Sequence, residues 1–78
     1  MKNNEPVHIG RVLKKLRMSK QMSQDDLANQ SSLDRGHIGS LEQDKHEPTL
    51  STLLALAIGL DIDFMDLMRL IYDDYKNG

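Results

Sequence analysis

Arg35, Gln24, Ser40, Gln43, Lys45 and His46 are the side chains whose donors and spacing point to chemistry in this chain. That chemistry is recognition, not bond-making. An arginine can give two parallel hydrogen bonds to O6 and N7 of a guanine. Glutamine, serine, lysine and histidine can reach phosphate oxygens. Gly36, Gly39, Ser40 and Gln43 fall at i, i+3, i+4 and i+7. On a helix they would share one face almost bare of side chain, bringing backbone close to base edges. Arg35, Gly36 and Ser40 are therefore candidate base contacts. Gln24, His37, Gln43, Lys45 and His46 are candidate contacts to the DNA backbone. His37 could equally cover the helix that carries it, and Arg35 could serve a phosphate or a surface pair with Asp34.

Other chemistries lack their residues. His8, His37 and His46 show no i, i+4 pairing of the kind that holds a metal on a helix, and no glycine-rich loop precedes a helix. With no cysteine there is neither a disulfide framework nor a thiolate site. No enzyme activity, metal or cofactor is expected. A reducing cytoplasm, in association with the nucleoid, is the expected compartment. No apolar run reaches the roughly 20 residues of a membrane span. The opening MKNNEPVHIG is too polar for a signal peptide, so no membrane association is expected.

The net charge of −2 argues at first against a nucleic-acid partner. Its distribution is uneven, however. Lys2, Arg11, Lys14, Lys15, Arg17 and Lys20 gather in the first twenty residues. Asp61, Asp63, Asp66, Asp73 and Asp74 outnumber Arg69 and Lys76 after Leu60. Local potential matters more to DNA than the sum, so the basic end is expected to meet phosphates. With about 6–10 such contacts, binding would weaken about a thousandfold or more between 50 and 200 mM salt.

The elements that position these groups are helical throughout, and an all-α fold of five helices is expected. The segment SQDDLANQSSLDRGHIGSLEQ, residues 23–43, reads as two short helices joined by a tight turn. Ser23 caps the first, with Asp26 completing a capping box, and Asp34 caps the second. Ala28 suits a close helix crossing, Leu33 fills the turn, and Ile38 and Leu41 face inward. This is the pattern of a helix-turn-helix, whose second helix enters the major groove. Before it, Ile9, Val12, Leu13 and Leu16 mark a helix from about Val7 to Lys20. After it, Pro48 bars continuation and Thr49 caps a fourth helix with Leu50, Leu53, Leu54, Leu56 and Ala57 largely buried. Gly59 is expected to end that helix in a left-handed cap. Asp63 caps a fifth helix over about 63–75, striped by Phe64, Leu67, Met68, Ile71, Tyr72 and Tyr75. Residues 1–78 are read as a single domain. Asp25 and Asp26, at the start of the second helix, are expected to turn away from phosphate.

These residues resemble the phage-repressor and Cro-like (XRE) helix-turn-helix family. The resemblance runs from about Ile9 to Leu67 through IGRVLKKLR, SQDDLA, LDRGHIGSLE and HEPTLSTLLALAIGLDI. Short length, the LDR opening of the third helix and a fifth helix look like restriction–modification controller proteins within it. The resemblance implies a lambda-repressor-like domain, a homodimer and a two-fold symmetric operator. It implies that Gln24 contacts the DNA backbone and that Arg17 and Glu42 form a structural pair between the first and third helices. Ser32, Gln21 and Asp44 stand where the family often has glycine.

The expected function is therefore that of a sequence-specific transcriptional regulator binding double-stranded DNA. Leu60, Ile62, Met65, Met68, Tyr72 and Tyr75 are expected to build the two-fold interface. RNA polymerase, touched by acidic surface near the second helix, is a further expected partner. The competing reading is an antitoxin-like module that holds a partner protein through its last helix.

Overall fold

The computed structural model describes residues 5–77, which form five helices: α1 (Gly10–Ser19), α2 (Gln24–Ser31), α3 (Arg35–Glu42), α4 (Leu50–Leu60) and α5 (Phe64–Asn77). Lys2 of the basic N-terminal group lies outside the described residues. Each helix after α1 begins where a short polar side chain takes up an orphan N–H. The Ser23 hydroxyl accepts from Asp26 N–H while the Asp26 carboxylate accepts from Ser23 N–H, both at 2.9 Å. Asp34 accepts from Gly36 N–H, Thr49 from Thr52 N–H, and Asp63 from the N–H groups of Met65 and Asp66.

One core joins all five elements. Ile9 and Leu13, Leu27 and Ala28, Ile38 and Leu41, Leu56, Ala57 and Leu60, and Leu67 and Ile71 are buried together. Leu33 packs against this core from the α2–α3 turn. Of these, Leu13, Leu27, Ile38, Leu41, Leu56 and Leu60 are almost completely enclosed.

Several helix ends differ from the sequence expectation, and α5 runs on to Asn77, beyond the expected 75. The first helix begins at Gly10, not Val7, because its N-terminus abuts the end of α3. Gly10 N–H donates to Asp44 Oδ1 at 2.8 Å, and a Cβ on Gly10 would collide with the Glu42 carbonyl. Gly59 does not end α4. The helix runs on to Leu60, and Asp61 takes the left-handed cap at φ 54°. Gly59 is instead the point where α4 presses on α2, for a Cβ there would lie 2.7 Å from Ser31 Cβ.

The burial of α4 also differs. Leu56 and Ala57 are buried, but Leu50 is 65% exposed, Leu54 45% and Ile58 74%. This helix is apolar on more than its core-facing side.

The charge polarity of the sequence does not survive folding as a polarity of the molecule. The acidic last helix folds back on the basic first one. Arg11 pairs with Asp74 at 3.0 Å, Lys20 Nζ reaches the Asp61 carbonyl at 3.4 Å, and Arg17 is turned inward. Of the described residues in that cluster, Arg17 is taken inside the fold, while Arg11 and Lys20 keep exposed side chains.

Candidate nucleic-acid interface

The two helices of the motif are held at a fixed angle by a left-handed turn and a buried ionic network. Ser32 adopts φ 58°, and its N–H and that of Leu33 return to the Asn29 and Ala28 carbonyls, closing α2. Glu42, at the end of α3, receives Arg17 Nε at 2.6 Å, Arg17 Nη2 at 3.1 Å and Gln24 Nε2 at 3.1 Å. Arg17 Nη1 donates to the Met22 carbonyl at 2.7 Å. The side chains of Arg17 and Glu42 are only 11% and 4% exposed. Hydrogen bonding to Glu42 raises the Arg17 pKa above its ordinary value, against the opposing effect of burial. One carboxylate therefore ties α1, α2 and α3 together.

On this frame the outer side of α3 presents Arg35 and Gly36 at its start and Gln43 just past its end, all exposed, with His37, Gly39 and Ser40 half-buried. The face is not uniformly bare. Gln24 of α2 leans over Gly39, whose hypothetical Cβ would find Gln24 Oε1 at 3.9 Å. A Cβ on Gly36 would approach Asp34 Oδ2 at 2.9 Å, the atom that caps α3. Gly36 therefore accommodates the cap as well as leaving the face open.

Arg35 has a partner other than the one weighed from sequence. Its Nε lies 3.1 Å from Asp25 Oδ1, with both side chains largely exposed, and Asp34 is occupied by the α3 cap. Asp25 thus does not turn away from this surface, whereas Asp26 is committed to the α2 capping box. Those hydrogen bonds from Ser23 lower the Asp26 pKa. Lys45 and His46 are exposed in the loop after α3, and the His46 ring lies 5.3 Å from that of His37 between centroids. The structure brings these two histidines together at one edge of α3, which spacing could not foretell.

A second surface lies at the α4–α5 corner. Leu54, Ala57, Ile58, Ile62 and Phe64 line a shallow hollow of about 450 Å³, edged by Asp61 and Asp63. Met65, 61% exposed, stands next to Phe64 at the start of α5. Leu60, expected at an interface, is fully enclosed in the core and can meet no partner. Ile62 and Met68 are partly buried against the core, and Tyr72 is exposed with Lys76 Nζ 5.0 Å over its ring. Tyr75 borders a different hollow, with Pro6, His8 and Arg11. Leu54, expected to be buried, is exposed, and so is Ile58, which the sequence pattern does not single out.

Comparison with known proteins agrees with this geometry. A family model described as Helix-turn-helix matches residues 13–67. The immunity repressor protein of Bacillus phage phi105 is 35% identical over 54 residues, which cover 69% of this chain and 38% of the repressor. Thus the chain spans well under half the length of that relative. The restriction–modification controller protein C.Esp1396I superposes with a TM-score of 0.82 at 28% identity, covering 92% of this chain and 94% of that one. The controller protein C.AhdI from Aeromonas hydrophila gives a TM-score of 0.72 at 39% identity, over 78% of this chain and 92% of that one. With the match spanning most of its length and the motif at α2–α3, this chain belongs to the XRE-type helix-turn-helix family of DNA-binding transcriptional regulators.

Proposed function

We propose that this regulator binds a two-fold symmetric DNA operator as a homodimer, α3 of each protomer lying in the major groove. The observation that carries the reading is the pairing of an exposed, glycine-bearing α3 face with a buried Arg17–Glu42–Gln24 network that fixes its angle. Arg35 reads a guanine, with Gly36 and Ser40 near the base edges. Gln43, Lys45, His46 and His37 meet the phosphates alongside. Gln24 can do so with the N–H that it does not give to Glu42, aided by the helix N-terminus it occupies.

The second copy docks at the α4–α5 corner. Leu54, Ile58, Ile62 and Met65 form its centre, with Met68 and Tyr72 along the same side of α5. Large exposed apolar side chains grouped in this way are characteristic of an association surface. The two α3 helices then lie roughly 34 Å apart, one DNA turn. The whole chain acts as one domain in this arrangement.

Because Arg17 is buried against Glu42 and Arg11 pairs with Asp74, fewer cations are free for DNA than the sequence suggests. With about four phosphate-neutralising cations per dimer, affinity falls on the order of a hundredfold between 50 and 200 mM salt.

Selection of bound sites from random duplex DNA, with sedimentation of the free protein and its complex, tests the proposal. Expected are inverted half-sites one turn apart and two protomers per site. Recovery of sites without sequence preference, or a monomer on DNA, contradicts it.

A further inference from the structure

One acidic side chain faces the proposed reading residue on the surface that would meet DNA. Asp25 Oδ1 lies 3.1 Å from Arg35 Nε, with the two side chains 71% and 65% exposed. A pair so exposed adds little to stability. Nor does Asp25 cap a helix, though its place in the first turn of α2 suits the helix dipole. The α2 capping box uses Ser23 and Asp26, and the α3 cap uses Asp34. A carboxylate at this place repels phosphate, so on electrostatics alone it weakens binding.

The atoms in contact give it a use. The closest approach of the pair is at Nε, on the stem side of the guanidinium, as an ion pair and not a directed hydrogen bond. A guanidinium carries five N–H donors in a planar fork, four of them on the two terminal Nη atoms. Those terminal donors can serve guanine O6 and N7 while Nε faces a carboxylate. An unrestrained arginine at a helix start has many rotamers, and phosphates offer it partners at every step along DNA whatever the sequence. Asp25 restricts the rotamers and offsets the charge that draws the side chain to phosphate. The terminal Nη donors are the ones that can tell one base from another.

We propose that Asp25 is a positioning residue for base readout, holding Arg35 toward a guanine edge and away from the phosphates. The proposal rests on Arg35 being a base contact, as argued above. It makes α2 a contributor to specificity through a residue that itself touches no base.

The test uses the full chain and two probes: a duplex selected by the protein from a random-sequence pool, and a scrambled duplex of equal length. Asp25→Ala, Arg35→Ala and the double variant are compared with the parent by fluorescence anisotropy across a salt series. A panel of base changes at each guanine of the selected duplex is included. Asp25→Ala is expected to melt like the parent and to bind the scrambled duplex several-fold more tightly. Its ratio of selected to scrambled affinity should fall about tenfold, the loss concentrated at the guanine that Arg35 sets. Its dependence on salt should steepen by about one unit of slope per protomer. In the Arg35→Ala background, removing Asp25 should leave the ratio unchanged.

If Asp25→Ala tightens both duplexes equally in both backgrounds, Asp25 is only a repelling surface charge and the proposal fails. If Arg35→Ala loses the guanine preference while Asp25→Ala keeps it, the positioning role fails and the base contact stands. If Arg35→Ala keeps the preference, the base-contact reading fails and takes this proposal with it.

Discussion

Arg17 of α1 and Glu42 of α3 meet through two hydrogen bonds, at 2.6 and 3.1 Å, in surroundings that leave both side chains almost unexposed. Glu42 also receives Gln24, so its removal strands a buried guanidinium and frees the start of α2. Glu42→Ala should therefore cost about 3–5 kcal/mol, read as a large drop in melting temperature. Replacing the pair together, as Arg17→Met with Glu42→Leu, should recover much of that loss because no charge is left unpaired. A cost below about 1 kcal/mol for Glu42→Ala would place the pair with ordinary surface bridges.

The bare-face reading is best tested at Gly39. At Gly36 a new Cβ meets the Asp34 cap, so lost binding could reflect a damaged helix start. At Gly39 the nearest atom to a new Cβ is Gln24 Oε1 at 3.9 Å, an ordinary contact. Gly39→Ala should stabilise the fold by up to about 1 kcal/mol through helix propensity. If backbone approaches base edges there, affinity for the selected duplex should nonetheless fall, and Gly39→Leu should lower it further. Undiminished operator binding by Gly39→Leu would show that the groove does not come this close.

The left-handed residues after α2 and α3 should respond in opposite directions to glycine. Ser32 and Asp44 both sit at φ 58°. A side chain in that region costs roughly 1–2 kcal/mol, which glycine removes at some expense in unfolded-state entropy. Ser32 is exposed, and Ser32→Gly should gain about 0.5–1 kcal/mol. Asp44, by contrast, accepts the Gly10 N–H at the head of α1. Asp44→Gly should be neutral or destabilising, because that cap is lost as the strain is relieved. Paired denaturant titrations decide this, and equal gains at both sites would deny the Asp44 cap its role.

Much of this arrangement was legible in the sequence because the signals are local. Ser23, Asp26, Asp34 and Thr49 cap helices by contacts within three residues, and Ile38 and Leu41 announce their inward face by spacing alone. What was not legible depends on how helices pack. Gly59 carries the sequence signature of a helix terminator, yet it is set by the approach of Ser31, 28 positions away. The basic start and acidic end look like opposite poles until α5 folds beside α1 and Arg11 meets Asp74. Asp25 and Arg35, ten positions apart, become neighbours only through the angle of the motif.

The capping box at α2 makes one contribution to stability depend on pH. The hydrogen bonds from Ser23 lower the Asp26 pKa from 3.8. A group whose folded pKa is depressed contributes stability above its unfolded pKa and loses it as pH falls through the folded value. The contribution of Asp26 should thus be complete near neutrality and fade below about pH 3.8. Thermal melts of the parent and Asp26→Ala should differ most near neutral pH and converge in acid. A gap of constant size down to pH 2 would mean that the Asp26 carboxylate is not the group responsible.

The α4–α5 corner should control assembly without touching DNA. Among the described residues Ile58 is the most exposed of the large apolar side chains, at 74%, and Met65 stands at 61%. Neither belongs to the buried core, so a charge at either position should leave the protomer folded. Ile58→Asp and Met65→Asp are expected to shift the sedimenting species from dimer to monomer at micromolar concentration. Two copies of a buried aspartate would face each other across a two-fold axis, and unpaired charges there strongly oppose association. Operator binding should then weaken and become steeply concentration-dependent, since each protomer reads only one half-site. A single half-site duplex should bind the variants and the parent protomer alike. Dimers that persist in both variants would move the interface elsewhere. A parent that is monomeric alone but captures a different protein through this corner would favour a partner-binding role for the same apolar surface.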